Sequence, residues 1–224
     1  MIAIFNSFEL YSFFKDKGYS FAEEMYFTPS LNETLRKHLL EKKDDDIKRE
    51  KRILIYGRPG EKRNAYEVIR YSLQEWSKKY RKANQWEIVS LGEVYDNVSL
   101  PNNVIQVKGK VSLEEYAALM LTSYAGISLM VSPHPSYPPL EMSTFGVKTI
   151  TNTFENKDLR SFNKNIASIN DCSPRTIIES LIEICESYGK QQSEIIINDS
   201  YINDDSLMNV VKRVGRLINA IKIC

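Results

Sequence analysis

The chain has 224 residues, 42% hydrophobic and 26% charged, with 30 Lys and Arg against 29 Asp and Glu for a net charge of +1. That is the mix of an ordinary globular protein, one large domain or one domain with appendages, and it lacks the basic field that nucleic-acid binding needs. Three cysteines (Cys172, Cys185, Cys224) without CxxC spacing and only two histidines (His38, His134) argue against a metal centre or a disulfide framework.

No apolar run approaches the roughly 20 residues of a membrane helix. The first residues, MIAIFNSFELYSFF, lack a basic n-region and carry Asn6 and Glu9. No signal peptide is expected, and a cytoplasmic location is the default, with association at the inner face of the cell membrane as its extension.

Residues 1–50 read as a helical extension and a linker. Aromatic side chains crowd positions 1–27, and the Phe8, Tyr11, Phe14 spacing suits a helix closed by Gly18 and docked on something apolar. Thr28-Pro29-Ser30 breaks the pattern, a second helix runs from Asn32 to Lys43, and the charge run from Glu41 to Arg52 reads as a solvated linker. Residues 51–224 read as one α/β domain. Arg52–Tyr56 is a buried strand ending in Gly57-Arg58-Pro59-Gly60, with cations Arg58, Lys62 and Arg63 before an amphipathic helix over Ala65–Tyr80. This is neither a P-loop nor a GxGxxG fingerprint. Strands follow at Trp86–Leu91 and Val104–Val107, then a helix over Ser112–Ser123 with a capping box from Ser112 and Glu115.

Ala125–Val131 is the next strand. It feeds a loop that holds four of the eight prolines in Ser132–Pro139, then a short helix over Leu140–Phe145 stopped by Gly146, and a strand over Val147–Thr151. Such a junction puts a helix N-terminus and the Glu141 carboxylate at the carboxyl end of a strand, where an anion and hydroxyl groups can be bound. A last strand at Ile166–Ile169 and helices over Pro174–Tyr188 and Ser206–Ile221 complete the chain. Alternating strands and helices predict a Rossmann-like, doubly wound parallel sheet.

The strings IYGRPxxxRNA (Ile55 to Ala65), SLGE (Ser90 to Glu93), SLMVSPHPSYPPLEM (Ser128 to Met142) and TNTFENKDL (Thr151 to Leu159), with Asn6-Ser7 and Leu31-Asn32, cover most of the chain. They resemble the C-terminal, donor-binding half of GT-B glycosyltransferases, and within these the bacterial rhamnosyltransferases of surface-polysaccharide synthesis. The resemblance implies one half of a GT-B fold that binds a nucleoside-diphosphate sugar such as dTDP-rhamnose. Arg58, Arg63 and Lys110 would neutralise the diphosphate, with Ser136 and Tyr137 lining that side through hydroxyl or backbone N–H. Glu141 would accept from the ribose, and His134 would be a donor-sugar contact.

The wider retaining pattern has two Glu separated by seven residues. Here Glu141 occupies the second position and Pro133 the first, so sugar identity and stereochemical outcome are not carried over. No catalytic residue is assigned, and neither a metal nor another cofactor is expected, protein cations taking the metal's place. The implied partners are a nucleotide sugar, a glycan acceptor and an N-terminal GT-B domain on the same full-length protein or another chain. A noncatalytic nucleotide-sugar-binding or scaffold module docking on a full transferase is the alternative, and turnover with donor and acceptor separates the two.

Overall fold

The computed structural model describes residues 1–43, 45–190 and 194–221. Asp44 of the charge run and Cys224 lie outside the described residues. In chain order the elements are β1 (Ile2–Phe5), α1 (Phe8–Asp16), β2 (Glu23–Tyr26), α2 (Glu33–Lys42), β3 (Glu50–Gly57), α3 (Tyr66–Lys79), β4 (Glu87–Gly92), β5 (Val98–Ser99) and β6 (Val104–Gly109). They continue with α4 (Leu113–Thr122), β7 (Ser123–Ile127), α5 (Tyr137–Thr144), β8 (Lys148–Asn152), β9 (Ile166–Ile169), α6 (Pro174–Ser187), α7 (Asp199–Ile202) and α8 (Ser206–Ile221). Among the described residues no helix is long and apolar enough to cross a membrane.

Seven strands form one sheet in the order β5-β6-β4-β3-β7-β8-β9, parallel except for β5, which pairs antiparallel with β6 at the edge. Both faces are covered, so the central strands are apolar on both sides. In β3 the alternation of side chains sends Ile53 and Ile55 to one face and Leu54 to the other, all fully buried. Ile53 and Ile55 meet Ile69, Leu73 and Trp76 of α3 and Leu181 of α6. Leu54 meets Leu35 and Leu39 of α2, Met120 of α4 and Met142 of α5. The helices begin where side-chain caps permit: the hydroxyl of Ser112 accepts from the Glu115 N–H at 3.1 Å, and Ser7, Asn32 and Ser173 do the same for α1, α2 and α6.

The N-terminal segment carries its two expected helices and, in addition, two strands that the sequence reading did not assign. β1 and β2 pair in parallel as a separate two-stranded sheet. Phe5 is buried beneath Tyr11, Phe14 and Phe21, whose ring centroids lie 5.4–5.9 Å away. The amide of Asn156 donates to the Glu9 carbonyl at 2.8 Å and ties α1 to the main unit. The proline-rich junction also shifts. Its strand ends at Ile127, and α5 begins at Tyr137, so Pro138 and Pro139 sit inside the first turn, where their missing N–H groups cost nothing.

The charge run is not a solvated linker throughout, which corrects that reading. β3 starts at Glu50, Arg52 pairs with Glu50 and Glu87, and Arg49 is buried. Among the described residues Arg49 has no carboxylate partner. Its guanidinium donates to the carbonyls of Met120 (2.8 Å) and Ser123 (3.3 Å) at the end of α4, and of Phe145 (2.6 Å) at the end of α5. Helix C-termini carry partial negative charge and unpaired carbonyls, so one cation neutralises two of them. Burial pulls the guanidinium's pKa down to about 10, still far above neutrality, and it stays charged. Gly146 makes room for it: at φ +89° the residue sits where L side chains are strained, and a Cβ there would lie 2.3 Å from Arg49 Nη2.

Replacing Arg49 by Met leaves these carbonyls buried without donors and is expected to lower the unfolding free energy by about 3 kcal/mol in urea titrations. Arg49→Lys should recover less than half of that, because a point ammonium cannot span both helix ends.

Candidate functional site

At the carboxyl end of the sheet, the loops after β3 and β7 diverge to opposite faces, since α3 and α5 lie on different sides. The strand order reverses here, and a crevice opens where doubly wound sheets bind ligands. It holds a cavity of about 820 Å³, lined by Arg58, Arg63, Lys110, His134, Ser136, Tyr137 and Glu141 together with residues of the N-terminal segment, Asn6, Leu10 and Phe14. All seven residues singled out in the sequence thus meet in one cavity, contributed by three loops and a helix start.

The first loop is held in shape by its neighbours. Glu93, from the SLGE string, accepts from the Gly60 N–H at 3.0 Å, and Gly92 at φ +112° lets the Arg58 side chain pass, a Cβ there standing 3.0 Å from Arg58 Cγ. The Arg58 guanidinium lies 6.0 Å from the centroid of the Tyr56 ring. Arg58 and Arg63 both reach Glu61 at 3.6 Å, so one carboxylate holds two half-exposed cations. In the β6–α4 loop Lys108 pairs with Glu115 at 2.8 Å, whereas Lys110 makes no ion pair among the described residues.

The loop after β7 is pinned from below. Asn152 accepts from the Met130 N–H (2.8 Å) and donates to the Met130 carbonyl (3.1 Å), and the Lys157 ammonium donates to the same carbonyl at 2.6 Å. Lys157 is 1% exposed, and burial brings its pKa down to about 8. The Val131 N–H donates to the Arg63 carbonyl at 2.7 Å and locks this loop to the first one. Further along, the Ser136 N–H donates to Nδ1 of His134 at 2.9 Å, and Ser136 sits at φ 69°, ψ 146°, a region costly for any residue with a Cβ.

This modifies the picture of a helix N-terminus presenting free N–H groups. Pro138 and Pro139 have none and the Ser136 N–H is engaged, so what the start of α5 offers is concentrated on Tyr137 and on side chains. Burial pushes the His134 pKa down, and the Arg63 and Lys157 cations add to this.

Glu141, one turn into α5, accepts from the Tyr116 hydroxyl at 3.1 Å. Glu141 is only partly buried, on the cavity wall, and desolvation of its carboxylate raises its pKa to about 7, with the Tyr116 bond opposing. The charge in turn pushes the hydroxyl pKa values of Tyr116, Tyr137 and Tyr201 upward, adding to their burial.

Sequence reasoning did not single out Asn64, Tyr116, Lys157, Asn152 or Glu93 as site residues. Asn64, Glu93, Asn152 and Lys157 lay inside the quoted strings, and that membership was the available signal.

The sequence model of the family described as WsaF, C-terminal domain, matches residues 51–182. The O-antigen biosynthesis protein RfbC of Myxococcus xanthus is 31% identical over 102 residues, which are 45% of this chain and 8% of that protein. Among solved structures, a sucrose-phosphate synthase from Thermosynechococcus elongatus superposes with a TM-score of 0.66 at 10% identity, over 99% of this chain and 58% of the other. The pneumococcal O-GlcNAc transferase GtfA, solved with UDP and GlcNAc, gives 0.62 at 12% identity over 97% and 45%. WaaG, a glycosyltransferase involved in lipopolysaccharide biosynthesis, gives 0.51 at 12% identity over 82% and 53%. At such identities the likeness speaks for the fold alone, and the chain spans about half the length of these structures. With the strand order, the crevice and a family match over more than half its length, this chain belongs to the WsaF C-terminal domain family and has the fold of the C-terminal domain of a GT-B glycosyltransferase.

Proposed function

We propose that the chain is the donor-binding half of a glycosyltransferase. It transfers a sugar, rhamnose in our reading, from a dTDP-linked donor to a cell-surface polysaccharide acceptor, in the cytoplasm at the inner face of the cell membrane. The observation that carries the reading is the single cavity at the topological switch point that gathers Arg58, Arg63 and Lys110 around one space and adds the carboxylate of Glu141. Three cations suit a diphosphate, and a carboxylate suits ribose hydroxyls, which can donate to it. As the glycosidic bond breaks, the cations stabilise the charge that builds on the departing nucleoside diphosphate, the main electrostatic task of the transfer. Ser136 and Tyr137 face the same diphosphate. These residues do this without a metal.

An N-terminal GT-B domain supplies the acceptor site, on the same full-length protein or on another chain. The two-stranded parallel sheet supports this reading, because parallel pairs are rarely stable alone and Ile2 and Ile4 of β1 are exposed. α8 lies beside it, Arg213 pairing with Glu23 at 2.6 Å, and leaves Leu207, Met208, Val211 and Ile218 uncovered. These apolar side chains form a surface of the kind a neighbouring domain covers.

Calorimetric titration with dTDP, UDP and GDP and their sugar conjugates tests the donor site. Arg58→Ala and Glu141→Ala should each weaken dTDP binding by about 10- to 150-fold, the worth of a charge-assisted hydrogen bond. Unchanged affinity in both folded variants would overturn the assignment. Binding without turnover, once acceptor half and acceptor are supplied, would return the noncatalytic module.

Glu61→Gln removes the carboxylate that competes for Arg58 and Arg63 and should tighten dTDP binding about threefold, in line with the small worth of exposed ion pairs.

The pH dependence has two opposite signs. Because the folded pKa of Glu141 is raised from 4.5 to about 7, its contribution to stability is complete below 4.5 and is lost as pH rises through 7. Ligand affinity runs the other way, since the ionised carboxylate is the better acceptor. Both trends should flatten in Glu141→Gln, checked by denaturation and by titration between pH 5 and 8.

A further inference from the structure

Two side chains that line the cavity, Asn64 and His134, each carry a buried polar atom without a hydrogen-bond partner among the described residues. Asn64, at the end of the turn after β3, is fully buried, yet its Oδ1 has no hydrogen-bond partner among the described residues. The orientation of its amide follows from its surroundings. Nδ2 faces the Leu129 carbonyl at 3.5 Å, and turning the group over would set two carbonyl oxygens against each other. Oδ1 is therefore the free end of a residue that lines the cavity. A buried acceptor left empty costs free energy, and a ligand that fills it with a donor recovers that cost.

The second atom is Nε2 of His134. The Ser136 N–H donates to Nδ1, so Nδ1 carries the lone pair and, in the neutral ring, the proton is on Nε2. Nε2 is buried without a hydrogen-bond partner; the Asn6 backbone lies close enough to favour a proton on the ring, but not where it accepts a well-formed bond. In this tautomer the imidazole is a donor and not a base, because its one basic nitrogen is occupied by the backbone. The two loops that carry these atoms are locked together by the Val131–Arg63 and Asn64–Leu129 bonds, which fixes acceptor and donor relative to each other.

An acceptor and a donor set on two interlocked loops match a hydroxyl-bearing ligand, since hydroxyl groups both give and take a hydrogen bond. An ionised phosphate has no proton for Asn64 Oδ1. We propose that Asn64 and His134 read the sugar of the donor, Asn64 Oδ1 accepting from one hexose hydroxyl and His134 Nε2–H donating to the same or an adjacent one. This rests on the donor-binding reading and assigns the sugar end of the same cavity.

The test compares dTDP with dTDP-rhamnose on the wild type and on Asn64→Ala by calorimetry. It is joined by ¹⁵N–¹H correlation spectra of the His134 ring in the wild type. Expected are a tighter complex with the conjugate than with dTDP and a loss of about tenfold for the conjugate alone in Asn64→Ala. The spectra should show a proton on Nε2, with a resonance that moves on adding the conjugate but not dTDP.

Equal losses for both ligands in Asn64→Ala, or none for either, would overturn the proposal, the oxygen then shaping the cavity or holding only water. A proton on Nδ1, or an Nε2 resonance indifferent to the sugar, would overturn it even if Asn64→Ala fails to fold. A wild type that binds dTDP and its conjugate equally keeps the donor site and removes the sugar-reading pair, whereas one that binds neither removes both.

Discussion

One cation held by backbone carbonyls governs the architecture. Arg49 joins the C-terminal ends of α4 and α5 through backbone carbonyls, and those two helices stand on either side of β7 in the sequence. The strand is thereby clamped at its start, with Glu50 beside Ser123, and α5 is fixed at its end. Because α5 is only two turns long, fixing its C-terminus also sets the direction of its first residues. Tyr137 and Glu141 owe their positions to a guanidinium at the far end of the same helix. Gly146 is the steric condition for this arrangement.

From that clamp the cavity follows. β3 and β7 lie side by side at the centre of the sheet, and their following helices cross to opposite faces. The crevice between the loops needs no insertion, only short turns that do not collapse into it. The Gly57–Gly60 turn is restrained by Glu93, and the loop after β7 by Asn152, Lys157 and its prolines. Electrostatics then divide the cavity: cations that share Glu61 belong to the first loop, while a carboxylate among tyrosines belongs to α5. Placing a carboxylate where its pKa reaches about 7 opposes stability, and the fold tolerates it in return for an acceptor.

Much of this was legible in the sequence, for definite reasons. β3, β4, β6 and β9 are apolar runs with turn residues after them, and α4 announces itself through Ser112 and Glu115. The three loops could be named because they follow strand ends, where local chemistry and sheet geometry coincide, and the family resemblance picked out the seven side chains on them. Arg49 could not, since its partners lie 71 to 96 residues away and a buried arginine reads like its solvated neighbours when the acceptors are carbonyls. β1 and β2 are four-residue strands in an aromatic segment whose helical spacing dominates, and β5 has two residues. Asn64 and Lys157 are polar residues whose burial is decided by the neighbouring loop.

Each of the three loops around the cavity is tied down by its own contacts: Glu93 for the first, the close approach of Val94 to Gly109 for the second, and Asn152 with Lys157 for the third. The first and third are also locked to each other, so they move as one, and the β6–α4 loop with Lys110 is the part that can drift without them. The scaffold separates what must persist from what can vary, so substitutions in the β6–α4 loop leave the interlocked pair of loops as it is. Specificity is free to diversify while the sheet beneath it stays the same.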